Sequence, residues 1–385
     1  MAVQPPTVQT FLLQTALLDR FCAPLCQAIL GPEWLKQVQD DDELPVQIAT
    51  SQNPTHMLLS WLRRANLFLV PLDSEGIWYR YHHLFREMLV QMLQRQMDTA
   101  QIATRHWRAS TWLATEGVTE PAIRHALAAA DAPLAAQLIE QQRYQLLSQH
   151  DFYTLDRWLS WLPPELIAQR PALLIAQGWR NYFFLARETY YRLAKEAEVQ
   201  LARTDLLLGK TTKQLLAGEA NLLKALGLPF YAHTDEVWEY IEAAAAQIPE
   251  GQPFVYPYLV LVKINALNDL GRTAEARSYM EAVLRTLPRA SSVAALLSLW
   301  PYLLHFNNGN LRQCAQGLEQ IWRAKAPAEH SSFVRSVIHS ALGSIYYEWQ
   351  HLETAAAHLT VLANEQGVSI TSVKRGKIVL SALYQ

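Results

Sequence analysis

Most of this chain reads with a helical period, and one stretch breaks it. From Met57 to Ala65 the apolar residues Met57, Leu58, Trp61, Leu62 and Ala65 recur at the spacing of one helix face. Leu67–Val70 is then a short apolar run with β propensity, closed by Pro71. Asp73-Ser74-Glu75-Gly76 supplies turn chemistry, and Ile77-Trp78-Tyr79-Arg80-Tyr81 reads as the returning strand. The helical period resumes from His82 through Leu84, Phe85, Met88, Leu89 and Met92. Helix, hairpin, helix is the outline of a winged helix.

Ahead of this unit, Val8–Leu18 and Asp19–Leu30 read as two helices, the second stopped by Gly31-Pro32. Lys36–Thr55 reads as a loop, with the acidic run Asp40-Asp41-Asp42-Glu43. Behind it, one long helix is expected over Gln94–Glu116, ended by Gly117, and helix–turn–helix pairs follow to the C-terminus. Such pairs cannot bury both faces alone and must stack on their neighbours. In the last third, Gly271, Gly309 and Gln350 each sit in a turn, with a small residue five positions on (Ala276, Cys314, Ala355) and Met280, Leu318 and Leu359 four further. Ala341-Leu342-Gly343, Tyr346, Ala355 and Leu359 match tetratricopeptide (TPR) spacing, although the interval is roughly 40 residues rather than the common 34. Pro301 falls inside an expected helix and should kink it or shift its start. The fold class is therefore all-α: a winged-helix-like N-terminal domain over residues 1–97, then a TPR-like helical-hairpin solenoid over residues 98–385.

Composition narrows the function more than the fold. Half of the 385 residues are apolar, 18% are charged and the formal charge is −2, so no global field draws the chain to nucleic acid or anionic lipid. Three cysteines make no disulfide framework, which suits a reducing cytoplasm. The uncharged stretch Ala290–Leu311 carries too many polar residues for a membrane span and reads as a buried helix. Cys22 and Cys26 lie one turn apart without a second ligand pair, and are read as structural thiols. Gly209-Lys210-Thr211-Thr212 lacks the glycine of a phosphate loop, since position 204 is Thr. No catalytic constellation can be assembled, so the chain is read as a non-enzyme needing no cofactor or metal.

Several ordered strings carry a resemblance: Phe11-Leu12-Leu13-Gln14-Thr15 with Leu18–Cys26, Leu62–Asp73, Trp78–Phe85 and Ala122–Ala129. Together they resemble the central part of the large ATP-dependent LuxR-type transcription regulators, the MalT-like family. The resemblance is close over the first ~130 residues and one of pattern afterwards. It implies a nucleotide-binding domain ahead of the winged helix and a DNA reader behind the repeats. Neither motif set is found here, so the expectation is a sensor and coupling fragment that lacks its own ATPase and DNA-binding domains. The alternative is a stand-alone TPR-like interaction scaffold.

The expected partners are a small effector or a protein, and a separately encoded or missing ATPase domain, with no direct nucleic acid and no membrane. The resemblance also implies a nucleotide-sensing role for the position of His82 and His83, one of which should pack in the winged-helix core. Val8, Phe11, Leu12, Leu17, Phe21 and Leu25 would form an exposed apolar face for the nucleotide domain. In a TPR-like superhelix the first helix of each pair lines the groove. Counting back from the three turns places Tyr258, Asn265, Asn268, Phe306, Ser344 and Tyr347 there, as a ligand-binding set. The plainer alternative is that the two amides bridge neighbouring helices. The β-branched, basic tail Asn364–Gln385 is expected to be the least stable segment.

Overall fold

The computed structural model describes residues 4–65, 68–149, 151–184, 186–203, 208–228, 234–286, 292–307, 309–324 and 332–364. The expectation for the tail concerns residues beyond 364, outside the described ones. The chain divides into two compact units, Met1–Ile139 and Glu140–Gln385.

The first unit contains α1 (Pro6–Thr15), α2 (Ala23–Gln39), α3 (Val46–Ala49) and α4 (Pro54–Arg64), then β1 (Leu69–Pro71) and β2 (Tyr79–Tyr81). It continues with α5 (His83–Gln96), α6 (Thr99–Thr115) and α7 (Thr119–Ala128). β1 and β2 pair antiparallel with Val70 opposite Arg80. The Asp73 carboxylate accepts the N–H groups of Ile77 and Trp78 at 2.8 Å each, which removes them from the ladder and delays the second strand to Tyr79. Phe21 pairs with Tyr79 through two 2.8 Å backbone bonds, a third sheet position that no local pattern announces.

Three expectations are corrected in this unit. The N-terminal apolar residues are core, not surface: Val8, Phe11, Phe21 and Leu25 are fully buried and Leu12 nearly so, with Leu17 half-buried. Phe11 meets Trp34 at 5.5 Å and Phe21 meets Tyr81 at 4.7 Å, so these side chains satisfy one another. The loop expected after Lys36 is partly helical, because α2 only breaks at Gly31 (φ 75°) and resumes through Pro32 to Gln39. The single helix expected over Gln94–Glu116 is two. Asp98 accepts the Gln101 N–H at 2.7 Å while the Gln101 side chain accepts the Asp98 N–H, a capping box that starts α6 afresh.

α8 (Ala132–Ser148) carries the boundary between the units. The second unit then runs through α9 (Phe152–Leu159), α10 (Pro164–Ala168), α11 (Pro171–Phe183), α12 (Arg187–Leu201), α13 (Lys210–Gly227) and α14 (Thr234–Gln247). It ends with α15 (Tyr256–Asp269), α16 (Thr273–Thr286), α17 (Ser292–Asn307), α18 (Leu311–Ala324), α19 (Ser332–Glu348) and α20 (Leu352–Asn364). Helices pack in sequence pairs, α15 on α16, α17 on α18 and α19 on α20. The periodic small residues Ala276, Cys314 and Ala355 are buried, as are Met280, Leu318 and Leu359 four positions later. Gly343 makes room for α20: a Cβ there would sit 2.7 Å from the Leu359 side chain. Pro301 lies inside α17, which runs on through it to Asn307 without the proline's backbone donor.

The turns share one cap. Gly271, Gly309 and Gln350 have φ of 74°, 75° and 62°. In each case the next N–H returns to a carbonyl five residues back, Arg272 to Leu267, Asn310 to His305 and His351 to Tyr346, at 2.8, 2.7 and 2.9 Å. This is the Schellman closure, which needs a left-handed residue and favours glycine. Gln350→Gly should therefore stabilise the second unit by about 1 kcal/mol, since a side chain is strained at that φ. A urea midpoint unchanged or lowered would show that the Gln350 side chain contributes contacts of its own.

Candidate ligand cavity

The junction of α15, α16 and α17 encloses a cavity of about 320 Å³. Its floor is apolar: Ile264 from α15, Ala276 and Met280 from α16, and Trp300 and Pro301 from α17. Polar groups converge on it from all three helices. α15 brings Asn268, α16 brings Arg277 and Glu281 one turn apart, and α17 brings His305. Asn268 donates through Nδ2 to the Ile264 carbonyl of its own helix at 2.9 Å, which fixes its amide. The Trp300 indole N–H is buried and has no hydrogen-bond partner among the described residues. Arg277 and Glu281 are exposed and have no ion-pair partner among the described residues.

Of the six residues expected to line one groove, Asn268 lines this cavity and the others lie outside it. Asn265 is half-buried on α15. Tyr258 joins an aromatic cluster, its ring 5.0 Å from Trp179, 5.5 Å from Phe254 and 5.8 Å from Tyr182, and burial pushes its phenol up. Phe306 packs on the apolar core formed by Leu299, Cys314, Leu318 and Ile338. Ser344 donates to the Ser340 carbonyl at 2.9 Å, and Tyr347 is half-buried. Counting along the first helix of each pair could not find Arg277 or Glu281, which belong to a second helix. Their spacing on the polar face of α16 was the available signal.

Below the aromatic cluster, α13 places Glu219 fully out of solvent. Its carboxylate accepts from the Trp179 indole at 2.9 Å, from Arg143 at 3.2 Å and from the Tyr144 hydroxyl. Burial first, and then this carboxylate, push the Tyr144 phenol up. Four side chains of α8, α11 and α13 are thereby held in one arrangement.

In the winged-helix unit, His82 and His83 are both exposed, with rings 4.5 Å apart. The expectation that one packs in the core is corrected. Tyr81 takes that place, its hydroxyl bonded to Thr15 at 2.7 Å, and the alternation along β2 leaves the next residue outside. His82 instead borders an apolar groove of about 520 Å³ with Phe68, Leu84, Phe85 and Met88, of which Phe68 and Leu84 are 59% and 63% exposed. Among the described residues, no helix is long and apolar enough to cross a membrane.

Residues 1–101 match the family model of the MalT winged helix domain. The chain is 25% identical over 343 residues to the HTH-type transcriptional regulator MalT of Cronobacter sakazakii, covering 85% of this chain and 36% of that regulator. To the serine/threonine-protein kinase PknK of Mycobacterium tuberculosis it is 26% identical over 242 residues, which cover 63% of this chain and 20% of the kinase. A crystal structure of a signal transduction ATPase with numerous domains (STAND) protein with a tetratricopeptide repeat sensor, from Pyrococcus horikoshii, has the same fold at a TM-score of 0.57. It is 14% identical, and the match covers 99% of this chain and 53% of that one. The chain thus spans between a fifth and about a third of the curated relatives named here.

Proposed function

From a MalT-like chain, with a MalT winged helix domain followed by TPR-like helical repeats, we propose the sensing and coupling part of a transcription regulator. In this reading a small effector occupies the cavity between α15, α16 and α17. One observation carries it: a cavity of ligand size in which Asn268, Arg277, Glu281 and His305 converge over an apolar floor. The cavity touches two consecutive hairpins, so an occupant would tie α16 to α17 and favour one arrangement of the repeats. The apolar groove beside His82 would meet the nucleotide domain of such a regulator, with His82 and His83 near its phosphates. ATP hydrolysis and DNA reading would belong to other segments.

The test is a thermal-shift screen of small metabolites on the full chain and two variants. An effector present at about a hundred times its Kd contributes roughly 2.7 kcal/mol, or about 5 °C or more. Trp300→Phe removes the orphan donor and should leave the free chain as stable or slightly more so. Arg277→Gln, on an exposed position, should change the free melting temperature by less than about 1 °C. Both should cut the ligand-induced shift by more than half. Shifts that survive both substitutions would favour the scaffold reading instead.

A further inference from the structure

A second cavity, of about 410 Å³, lies between α18 and the end of α19. α18 lays Arg312, Ala315, Gln316 and Glu319 along one side of it. Opposite stand Tyr346 and Trp349, with ring centroids 5.6 Å apart and planes at 85°. The left-handed turn at Gln350 swings His351 in beside them, its ring stacked on Tyr346 at 6.1 Å. Tyr346 is stacked on His358 as well, 5.7 Å away with planes at 4°, so the rings of Trp349 and His351 are the aromatic walls left for a flat ligand.

The charges decide what that ring must carry. Glu319 is already committed, accepting from the Tyr346 hydroxyl and pairing with Arg323 at 2.8 Å. Arg312 has no ion-pair partner among the described residues and sits in the first turn of α18, where the helix dipole adds positive potential. The uncommitted charge of the cleft is positive, and a cationic ligand would meet it unfavourably.

We propose that this cleft binds a small aromatic anion, its ring against Trp349 and His351 and its carboxylate or phosphate on Arg312. A guanidinium can match either anion with two parallel donors. This site is separate from the cavity lined by Trp300 and stands or falls independently of it.

The probes are 4-hydroxybenzoate and phenyl phosphate, titrated calorimetrically into the full chain, with cyclohexanecarboxylate as the non-planar control. Saturable binding of at least one aromatic probe is expected, with cyclohexanecarboxylate weaker by about tenfold or more. Arg312→Gln should weaken the aromatic probe by roughly tenfold or more, as the loss of a charge-assisted pair implies, whereas Arg277→Gln should leave it unchanged. Arg312 is exposed, so its substitution should not perturb folding, and circular dichroism checks that. The proposal is overturned if neither aromatic probe saturates by about 10 mM, a range that covers even weak sites. It is equally overturned if Arg312→Gln binds as the wild type does, if Arg277→Gln abolishes binding, or if the non-planar control binds as well.

Discussion

Glu219→Ala is expected to destabilise the second unit by about 3–5 kcal/mol, the usual cost of leaving one member of a buried ion pair without its partner. Glu219 is fully buried and Arg143 nearly so, and the carboxylate also takes the Trp179 and Tyr144 donors. Removing it strands a guanidinium, an indole N–H and a phenol together. Replacing the charges as a pair, Arg143→Met with Glu219→Leu, should recover part of the loss, because the desolvation cost disappears with both ions while the Trp179 and Tyr144 donors stay unmade. Urea titrations of the wild type, Glu219→Ala and the double variant measure both effects. A Glu219→Ala cost below about 1 kcal/mol would mean that water reaches the site and that the network does not hold α8, α11 and α13 together.

Acid should loosen the helix pair α6–α7. His106 and His125 face each other through Nδ1 atoms 2.8 Å apart, which requires one ring to donate and the other to accept. Burial, and then the neighbouring His106, bring His125 down to about 4, and burial followed by Arg86 lowers His106. Asp19 acts on His125 in the opposite sense, and Arg86 with the histidines. Since the folded values lie below the ~6.5 of an unfolded histidine, the pair's contribution is complete above that pH and disappears as pH falls towards 4. For His125 alone the loss is about 3 kcal/mol at most. His339 and His358 repeat the contact at 2.9 Å on α19 and α20, with His358 lowered by burial. Urea unfolding at pH 7.5 and 4.5 should show a smaller acid penalty in His125→Gln than in the wild type. Equal penalties in the two proteins would refute the assignment to this pair.

What could be read from the sequence was whatever depends on local period. The wing, the helical hairpins and the three left-handed turns all follow from spacing, because a helix face and a Schellman cap are written within a few residues. Phe21 joining the sheet is a pairing across more than fifty residues and has no local signature. The same limit explains the N-terminal helices. Phe11 and Phe21 were legible as part of an apolar face, but that Trp34 and Tyr81 pack on them is a tertiary fact. At the candidate site, Asn268 was reachable by counting along one helix, while Arg277, Trp300 and His305 meet it only because α16 and α17 fold over α15. Trp300 gives no sign in the sequence that its donor will be buried and unmatched.

Native mass spectrometry of the full chain after exposure to a pooled small-metabolite extract, compared with Trp300→Leu, tests the sensor reading most directly. The account predicts a discrete small-molecule adduct on the wild type, still present in Arg312→Gln and absent or strongly depleted in Trp300→Leu, with the charge distribution of a folded chain in all three. The same adduct on all three proteins, or none on the wild type, would contradict it.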